Sequence, residues 1–245
     1  MIHTAFILGA GLGTRLRPLT EKCPKPLLPI GGQPIICHAM DRLLAAGIER
    51  FIINTHHCAS VYDEIFPDHR YRGHEVVLVH EPVLLDTGGG LKNIEPFLGE
   101  AEKSLLVYNG DIFAEPDLRG LMENHAAHPE AEATLLLRSG GHPLNVRCNR
   151  HGVITDMRGR LEARDGTACL FAGIYCARRK FFAAMEKNKI ESVVEVMLRR
   201  IVAEPGSVRG WIDNSGHWHD LGTVVEYERV NFQHTALEGD GFRHG

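Results

Sequence analysis

The sequence predicts an α/β protein built on a mostly parallel sheet. Two observations carry that class. Short apolar runs alternate with amphipathic stretches through the first half of the chain, the pattern of strand–helix–strand units. The first apolar run, Thr4–Leu8, turns at once into glycine-rich sequence with no basic segment before it. It reads as a first strand rather than a signal peptide.

The elements follow in order. Ile35, Ile36, Ala39, Met40, Leu43 and Leu44 recur at helical spacing, and Gly47 stands where that helix should end. Phe51–Asn54 is the next strand, Val61–Phe66 a short helix and Val76–Val79 a third strand. Leu91–Leu98 is helical, Leu105–Tyr108 a fourth strand, Leu118–His125 a helix and Ala133–Leu137 a strand. Beyond this the pattern loosens. Val153–Met157 and Cys169–Cys176 read as strands, in hairpins. Val194, Met197, Leu198, Ile201 and Val202 form a helical stripe. Val208–Ile212 and Trp218–Leu221 are short extended pieces, and a last helix is expected from about Thr223 to about Leu237. With no linker, repeat or low-complexity stretch, the expectation is one domain over residues 1–238, in halves 1–130 and 131–238, with a frayed tail at 239–245.

Composition narrows the function. The chain has 245 residues, 44% of them hydrophobic and 24% charged, enough for a substantial core. A net charge of −4 argues against a generic nucleic-acid binder. No apolar run approaches the roughly 20 residues of a membrane helix. Cys23, Cys37, Cys58, Cys148, Cys169 and Cys176 include no CxxC pair and read as reduced thiols of a cytoplasmic protein. Cys148-Asn149-Arg150-His151 supplies half of a zinc set and lacks the other half.

The chemistry gathers after the first strand. Gly9-Ala10-Gly11-Leu12-Gly13-Thr14 matches neither the Walker A spacing nor GxGxxG. Glycines let backbone N–H groups approach phosphate oxygens. Arg15, Arg17, Lys22 and Lys25 follow within eleven residues, with Glu21 the one acid among them. Several cations suit a polyphosphate, though a solvated basic loop has the same composition. Pro24 and Pro26 stiffen the chain around Lys25, as a fixed target for its ammonium requires.

The run Gly9-Ala10-Gly11-Leu12-Gly13-Thr14-Arg15-Leu16-Arg17-Pro18-Leu19-Thr20, followed by Lys22-Cys23-Pro24-Lys25-Pro26-Leu27-Leu28-Pro29, resembles the signature of sugar-phosphate nucleotidyltransferases. Gly9 stands where that family usually has alanine, at a place where backbone faces the base. The resemblance implies a Rossmann-like three-layer α/β/α fold of the nucleotide-diphospho-sugar transferase type, with a mixed, mostly parallel sheet. It makes residues 1–130 a nucleotide-binding half and 131–238 a sugar-binding half. Leu8, Gly9, Ala10, Gly11, Gly13, Thr14 and Asn109 become nucleotide contacts. Arg15 would hold the leaving pyrophosphate, and Lys25 the α-phosphate or the incoming sugar phosphate.

Two aspartates are the candidate metal ligands. Asp111 follows the strand Leu105–Tyr108, where ligands bind in α/β sheets, and Asp220 sits in Gly216-His217-Trp218-His219-Asp220-Leu221-Gly222-Thr223. Read alone, each is equally a cap or a turn residue. The family's pattern makes both ligands of Mg²⁺, which prefers carboxylates and phosphates, and Thr223 is placed to cap the last helix. Glu81-Pro82-Val83-Leu84-Leu85-Asp86-Thr87-Gly88-Gly89-Gly90 joins a strand to a helix. By the resemblance it lines the base and ribose pocket, with Glu81, Thr87 and Gly88 as contacts. On the sugar side the resemblance points to Gly173 and Glu191. Asn145 is a further candidate, equally readable as a strand-edge asparagine. The family's Glu-Lys-Pro motif is missing, and Arg158 and Arg160 are the nearby cations.

Chain length, Leu85-x-Thr87-Gly88-Gly89-Gly90 and Gly216-His217-Trp218-x-Asp220-x-Gly222-Thr223 resemble the short bacterial members acting on N-acetylmuramate 1-phosphate with UTP. The expected partners are therefore a nucleoside triphosphate and a sugar 1-phosphate, in a monomer or small homo-oligomer, with no nucleic acid or membrane. Alternatives are a cytidylyl- or thymidylyltransferase acting on phosphocholine or glucose 1-phosphate, and a non-catalytic nucleotide-sugar sensor. The sensor is disfavoured because Arg15, Lys25, Asp111 and Asp220 all stand. An oxidoreductase is disfavoured by the loop spacing and by Asn54 where a ribose-binding acid would end strand two.

Overall fold

The computed structural model describes residues 1–241, and the side chains of residues 1–235. In chain order the strands and helices are β1 (Thr4–Leu8), β2 (Pro29–Ile30), β3 (Gln33–Pro34), α1 (Ile35–Ala45), β4 (Arg50–Thr55), α2 (Ser60–Ile65), β5 (Arg70–Tyr71), β6 (His74–His80), α3 (Asp86–Asn93), β7 (Ser104–Asn109) and β8 (Ile112–Ala114). There follow α4 (Leu118–Ala127), β9 (Ala133–Arg138), β10 (Val146–Cys148), β11 (Ile154–Met157), β12 (Thr167–Arg178), α5 (Val193–Ala203), β13 (Val208–Ile212), β14 (Trp218–Asp220) and α6 (Val224–Gly241).

Ten strands form one mixed sheet. β7, β1, β4 and β6 run parallel. Their apolar runs are continuous because both faces are covered. β12 lies antiparallel to β7 and to β9, while β13 joins β9 in parallel. The β10–β11 hairpin branches from the first half of β12.

The pleat divides each strand between two apolar layers. Phe6, Ile52 and Val107 face Leu91 of α3 and Val194 and Met197 of α5. Ala5, Ile7, Phe51 and Ile53 face Met40 and Leu43 of α1, Tyr62 of α2 and Leu121 of α4. A third cluster joins Leu16, Leu28, Ile30 and Ile35 to Leu221, Tyr227 and Val230, so α6 closes over the β2–β3 hairpin. The three-layer α/β/α class with a mixed sheet is therefore present.

Most expected elements appear within a residue or two. α1 ends as its sequence predicts: Gly47 has φ 98°, Ile48 N–H donates to the Leu43 carbonyl and Gly47 N–H to that of Leu44, a glycine-closed C-terminus. Two expectations need correcting. The helix expected at Leu91–Leu98 begins earlier, at Asp86, and stops at Asn93, before a tight turn at Glu95–Phe97 that contains Pro96. Val202 leaves the α5 stripe and is 66% exposed. The very short β2, β3 and β5, together with β8 and β10, had no period to betray them. The last helix runs through Gly241, into the stretch expected to fray; residues 242–245 lie outside the described residues.

Candidate active site

Strand register sets the floor of the site. Leu8 ends β1 with Asn54 of β4 on one side and Asn109 of β7 on the other. A cleft of about 530 Å³ opens above them, lined by residues 10–16, Lys25, Leu84, Asp86, Thr87, Asp111, Ile190 and Gly222. Of the expected site residues, Leu8, Ala10, Gly11, Gly13, Thr14, Arg15, Lys25, Thr87, Asn109 and Asp111 border it.

The glycine loop is shaped by three different needs. Gly13 has φ 59°, and a Cβ there would lie 2.9 Å from Thr20, whose hydroxyl donates to the Gly13 carbonyl at 2.8 Å. A Cβ on Gly9 would lie 2.6 Å from the Asn54 carbonyl and 2.7 Å from the Tyr62 hydroxyl. Gly9 thus fills a place too tight for alanine here, and its backbone groups turn inward instead of toward a base. A Cβ on Gly11 would meet nothing within 4 Å. Among the described residues, the N–H groups of Ala10, Gly11, Leu12 and Gly13 have no acceptor in the protein. Such a row of unclaimed donors is an anion cradle.

Arginine and lysine occupy opposite situations. Arg15 is exposed, its guanidinium against the backbone of Gly222 and without an acidic partner among the described residues. Arg17 and Lys22 are likewise exposed and unpaired. Lys25 is buried, and its Nζ stands 2.7 Å from Asp111 Oδ2 and 3.5 Å from Asp220 Oδ1. The two aspartates meet because β14 pairs with β8, which sets Asp220 opposite Ile112, the residue after Asp111. Trp218 fastens β14 further by donating its indole N–H to the Ala172 carbonyl. Both carboxylates approach one ammonium, and their hard oxygens are of the kind that suits Mg²⁺. No group of three or more His, Cys, Asp or Glu suited to a metal occurs among the described residues. A divalent ion would therefore depend on this pair and on ligand phosphates. The isolated half-set at Cys148–His151 is a hairpin turn, with Asn149 Oδ1 accepting from His151 and Val153.

Several expected contacts lie behind the wall. Glu81 is fully buried; its Oε1 accepts from Asn54 Nδ2 and its Oε2 from Leu85 N–H. Gly88 and Gly89 spend their N–H groups on the Glu191 carbonyl, and a Cβ on Gly89 would lie 2.2 Å from the Lys189 carbonyl. Gly88 and Gly89 therefore serve the docking of α3 on residues 189–193, while Gly90 packs on Asn54 and Glu81. Thr87 joins that seam by accepting from Val193 N–H. The Glu191 carboxylate is held below the usual range by Arg199, and Lys189 also faces it. Gly173, at φ 78°, leaves room for the Asn109 amide. Asn145 accepts from Phe171 N–H beside the irregularity in β12. Arg160 pairs with Glu195.

Asn54, Leu12, Ile190 and Gly222 border the cleft without having been expected as contacts, while Leu84 and Asp86 border it within the segment expected to line the pocket. Asn54 had a readable signal: like Asn109, it is a polar residue ending an apolar strand. Asp86 has φ 61°, and Ile190 is 63% exposed.

Known proteins share this architecture. The family model described as "Nucleotidyl transferase" matches residues 4–236. Mannose-1-phosphate guanylyltransferase of Mycobacterium tuberculosis is 33% identical over 232 residues, 92% of this chain; the chain spans only 62% of that protein's length. N-acetylmuramate alpha-1-phosphate uridylyltransferase of Neisseria meningitidis is 30% identical over 227 residues, 92% of this chain and 96% of that protein. The structure of UDP-glucose pyrophosphorylase from Acinetobacter baumanii superposes with a TM-score of 0.78 at 18% identity, over 95% of this chain and 93% of that one, a likeness of fold.

Proposed function

The chain belongs to the nucleotidyl transferase family, and from that premise we propose that it joins a nucleoside triphosphate to a sugar 1-phosphate, yielding an NDP-sugar and pyrophosphate. The observation that carries the reading is one cleft lined by the loop with its unclaimed N–H groups, an unpaired Arg15, Lys25 and Asp111, with Asp220 reaching the same lysine. UTP and N-acetylmuramate 1-phosphate are the favoured pair. The Neisseria relative matches along nearly its whole length. GTP with mannose 1-phosphate is the second reading, supported by the mycobacterial match.

In this reading an oxygen of the sugar phosphate attacks the α-phosphorus. The bond to the β-phosphate oxygen breaks, and pyrophosphate leaves with the electron pair. The nucleophile is already an anion, so no general base is needed. Catalysis consists of alignment and charge neutralisation. The cradle N–H groups take phosphate oxygens of the triphosphate, and Arg15 takes the charge growing on the leaving group. Lys25 holds Asp111 and Asp220 together and offers its ammonium to the α-phosphate or the incoming phosphate. Mg²⁺, held by the two aspartates, supplies charge neutralisation when bound. Residues 1–130 form the nucleotide half and 131–238 the sugar half, in a cytoplasmic protein with reduced thiols.

Pyrophosphate release with Mg²⁺, across the common nucleoside triphosphates and a panel of sugar 1-phosphates, tests the reading. Release that needs both UTP and N-acetylmuramate 1-phosphate supports the favoured pair. Release with GTP and mannose 1-phosphate selects the second. Silence on every pair, phosphocholine included, overturns the activity.

A further inference from the structure

We infer that a buried relay, Tyr62–Gly9–Asn54–Glu81–Leu85, sets the loop and the α3 entrance for the nucleotide, with Asn54, Tyr62 and Glu81 as positioning residues. Glu81 acts through Asn54 instead of touching the ligand. This rests on the nucleotide reading above.

The relay has no slack in its donors and acceptors. The Glu81 carboxylate only accepts, so the NH₂ end of Asn54 must face it, at 2.7 Å. That leaves Asn54 Oδ1 for Gly9 N–H, at 2.8 Å. With the amide reversed, NH₂ would meet N–H at one end and oxygen would meet carboxylate at the other. The other Glu81 oxygen takes Leu85 N–H at 3.0 Å, one residue before α3 and beside the cleft residues Leu84 and Asp86. Tyr62 completes the hold on Gly9 by donating to its carbonyl at 2.9 Å.

The consequence for a ligand follows from peptide geometry. In a trans peptide the carbonyl and the next N–H point in opposite directions. Holding the Gly9 carbonyl on Tyr62 therefore sends Ala10 N–H away from Tyr62. Ala10 borders the cleft, and that N–H has no acceptor in the protein among the described residues. Space has been reserved for the relay as well. A Cβ on Gly9 would lie 2.7 Å from the Tyr62 hydroxyl, and one on Gly90 would lie 2.8 Å from Asn54 Nδ2 and 2.9 Å from Glu81 Oε1.

A charge-transfer pair of variants tests this. Glu81→Gln alone sets an amide NH₂ against a donor, and Asn54→Asp alone sets two buried carboxylates together. The double variant restores every pairing: the new carboxylate at 54 accepts from Gly9 and from the amide at 81, whose oxygen accepts from Leu85. The charge of the pair stays at −1. Each single variant should raise KM for the nucleoside triphosphate about tenfold or more, with KM for the sugar phosphate unchanged. Amide exchange at Gly9 and Leu85, measured without ligand, should quicken. The double variant should return both readouts most of the way. Tyr62→Phe, which removes one oxygen and keeps the ring, should raise the same KM severalfold.

A double variant no better than its worse parent, or a Tyr62→Phe protein with an unaltered nucleotide KM, overturns the inference. If the unsubstituted protein turns over no triphosphate, the functional reading fails. Exchange at Gly9 and Leu85 then decides the relay separately: rescue in the double variant upholds it, and none refutes it.

Discussion

Lys25 and Arg15 carry the same charge but should answer substitution differently. Lys25 is buried between two carboxylates, so Lys25→Met leaves Asp111 facing Asp220 with no cation between them. Because both aspartates are partly exposed, the expected destabilisation is about 1–3 kcal/mol, below that of a fully buried pair. Arg15 has no acidic partner to lose. Arg15→Ala should leave Tm essentially unchanged and lower kcat by about 10²–10³. Asp111→Asn should cost turnover on a similar scale. Thermal melts beside pyrophosphate-release rates check all three; a melting point lowered as much by Arg15→Ala as by Lys25→Met would refute the distinction. Arg15 and Lys25 stood out because the glycine loop and its cations lie in one short stretch, whereas Asp111 was marked as a metal ligand only by the resemblance. Glu81 did not stand out as buried. Its burial depends on Asn54 and Leu85, and nothing in Glu-Pro-Val-Leu-Leu says which way a carboxylate will turn.

Helix α3 is the element whose sequence misled most. Three successive glycines inside a helix oppose helix propensity by about 1 kcal/mol each, and so resemble an open ligand loop. For Gly88 and Gly89 the reason lies a hundred residues downstream, in the carbonyls of Glu191 and Lys189, and for Gly90 it lies in the side chains of Asn54 and Glu81. Gly89→Ala should therefore destabilise by about 1–3 kcal/mol, the cost of forcing apart a close-packed contact, despite alanine's better propensity. Chemical denaturation measures it, and a more stable variant would contradict the seam. Helix α4 offers a pH test. His125, buried with Nδ1 2.8 Å from Thr134 Oγ1, is pushed by burial from 6.5 down to about 3, with Arg178 adding to the effect. The folded protein keeps it neutral while the unfolded chain protonates it. Its contribution is full above about pH 6.5 and is lost as the pH falls toward 3. Between pH 7 and 5 this site should remove about 1–2 kcal/mol. His125→Gln should flatten that part of the stability profile, and an unchanged slope would refute the assignment.

At the scale of the whole molecule, the parallel core was readable and its margins were not. β1, β4, β6 and β7 announce themselves as apolar runs because helices cover both faces. β12 was visible as a strand. Its twelve residues and its service to β7, β9 and β10 were not, since pairing partners leave no period in the sequence. The β8–β14 pair, three residues each, brings the two aspartates together. β14 was expected as the extended piece Trp218–Leu221 and β8 was not, and only the resemblance joined the two aspartates in one site.

Every strand of the ten-stranded sheet lies at or before Ile212, whereas Asp220, Gly222 and the cap formed by α6 lie beyond it. Lys25 waits 195 positions for its second carboxylate. On the ribosome, every strand of the sheet is therefore available while Lys25 still lacks its second carboxylate. Closing that long-range contact comes late and against a large loop entropy. A nascent chain halted near Asp213 would hold every strand of the sheet without Asp220, and under the proposed function competence would arrive only as the stretch beyond it emerges.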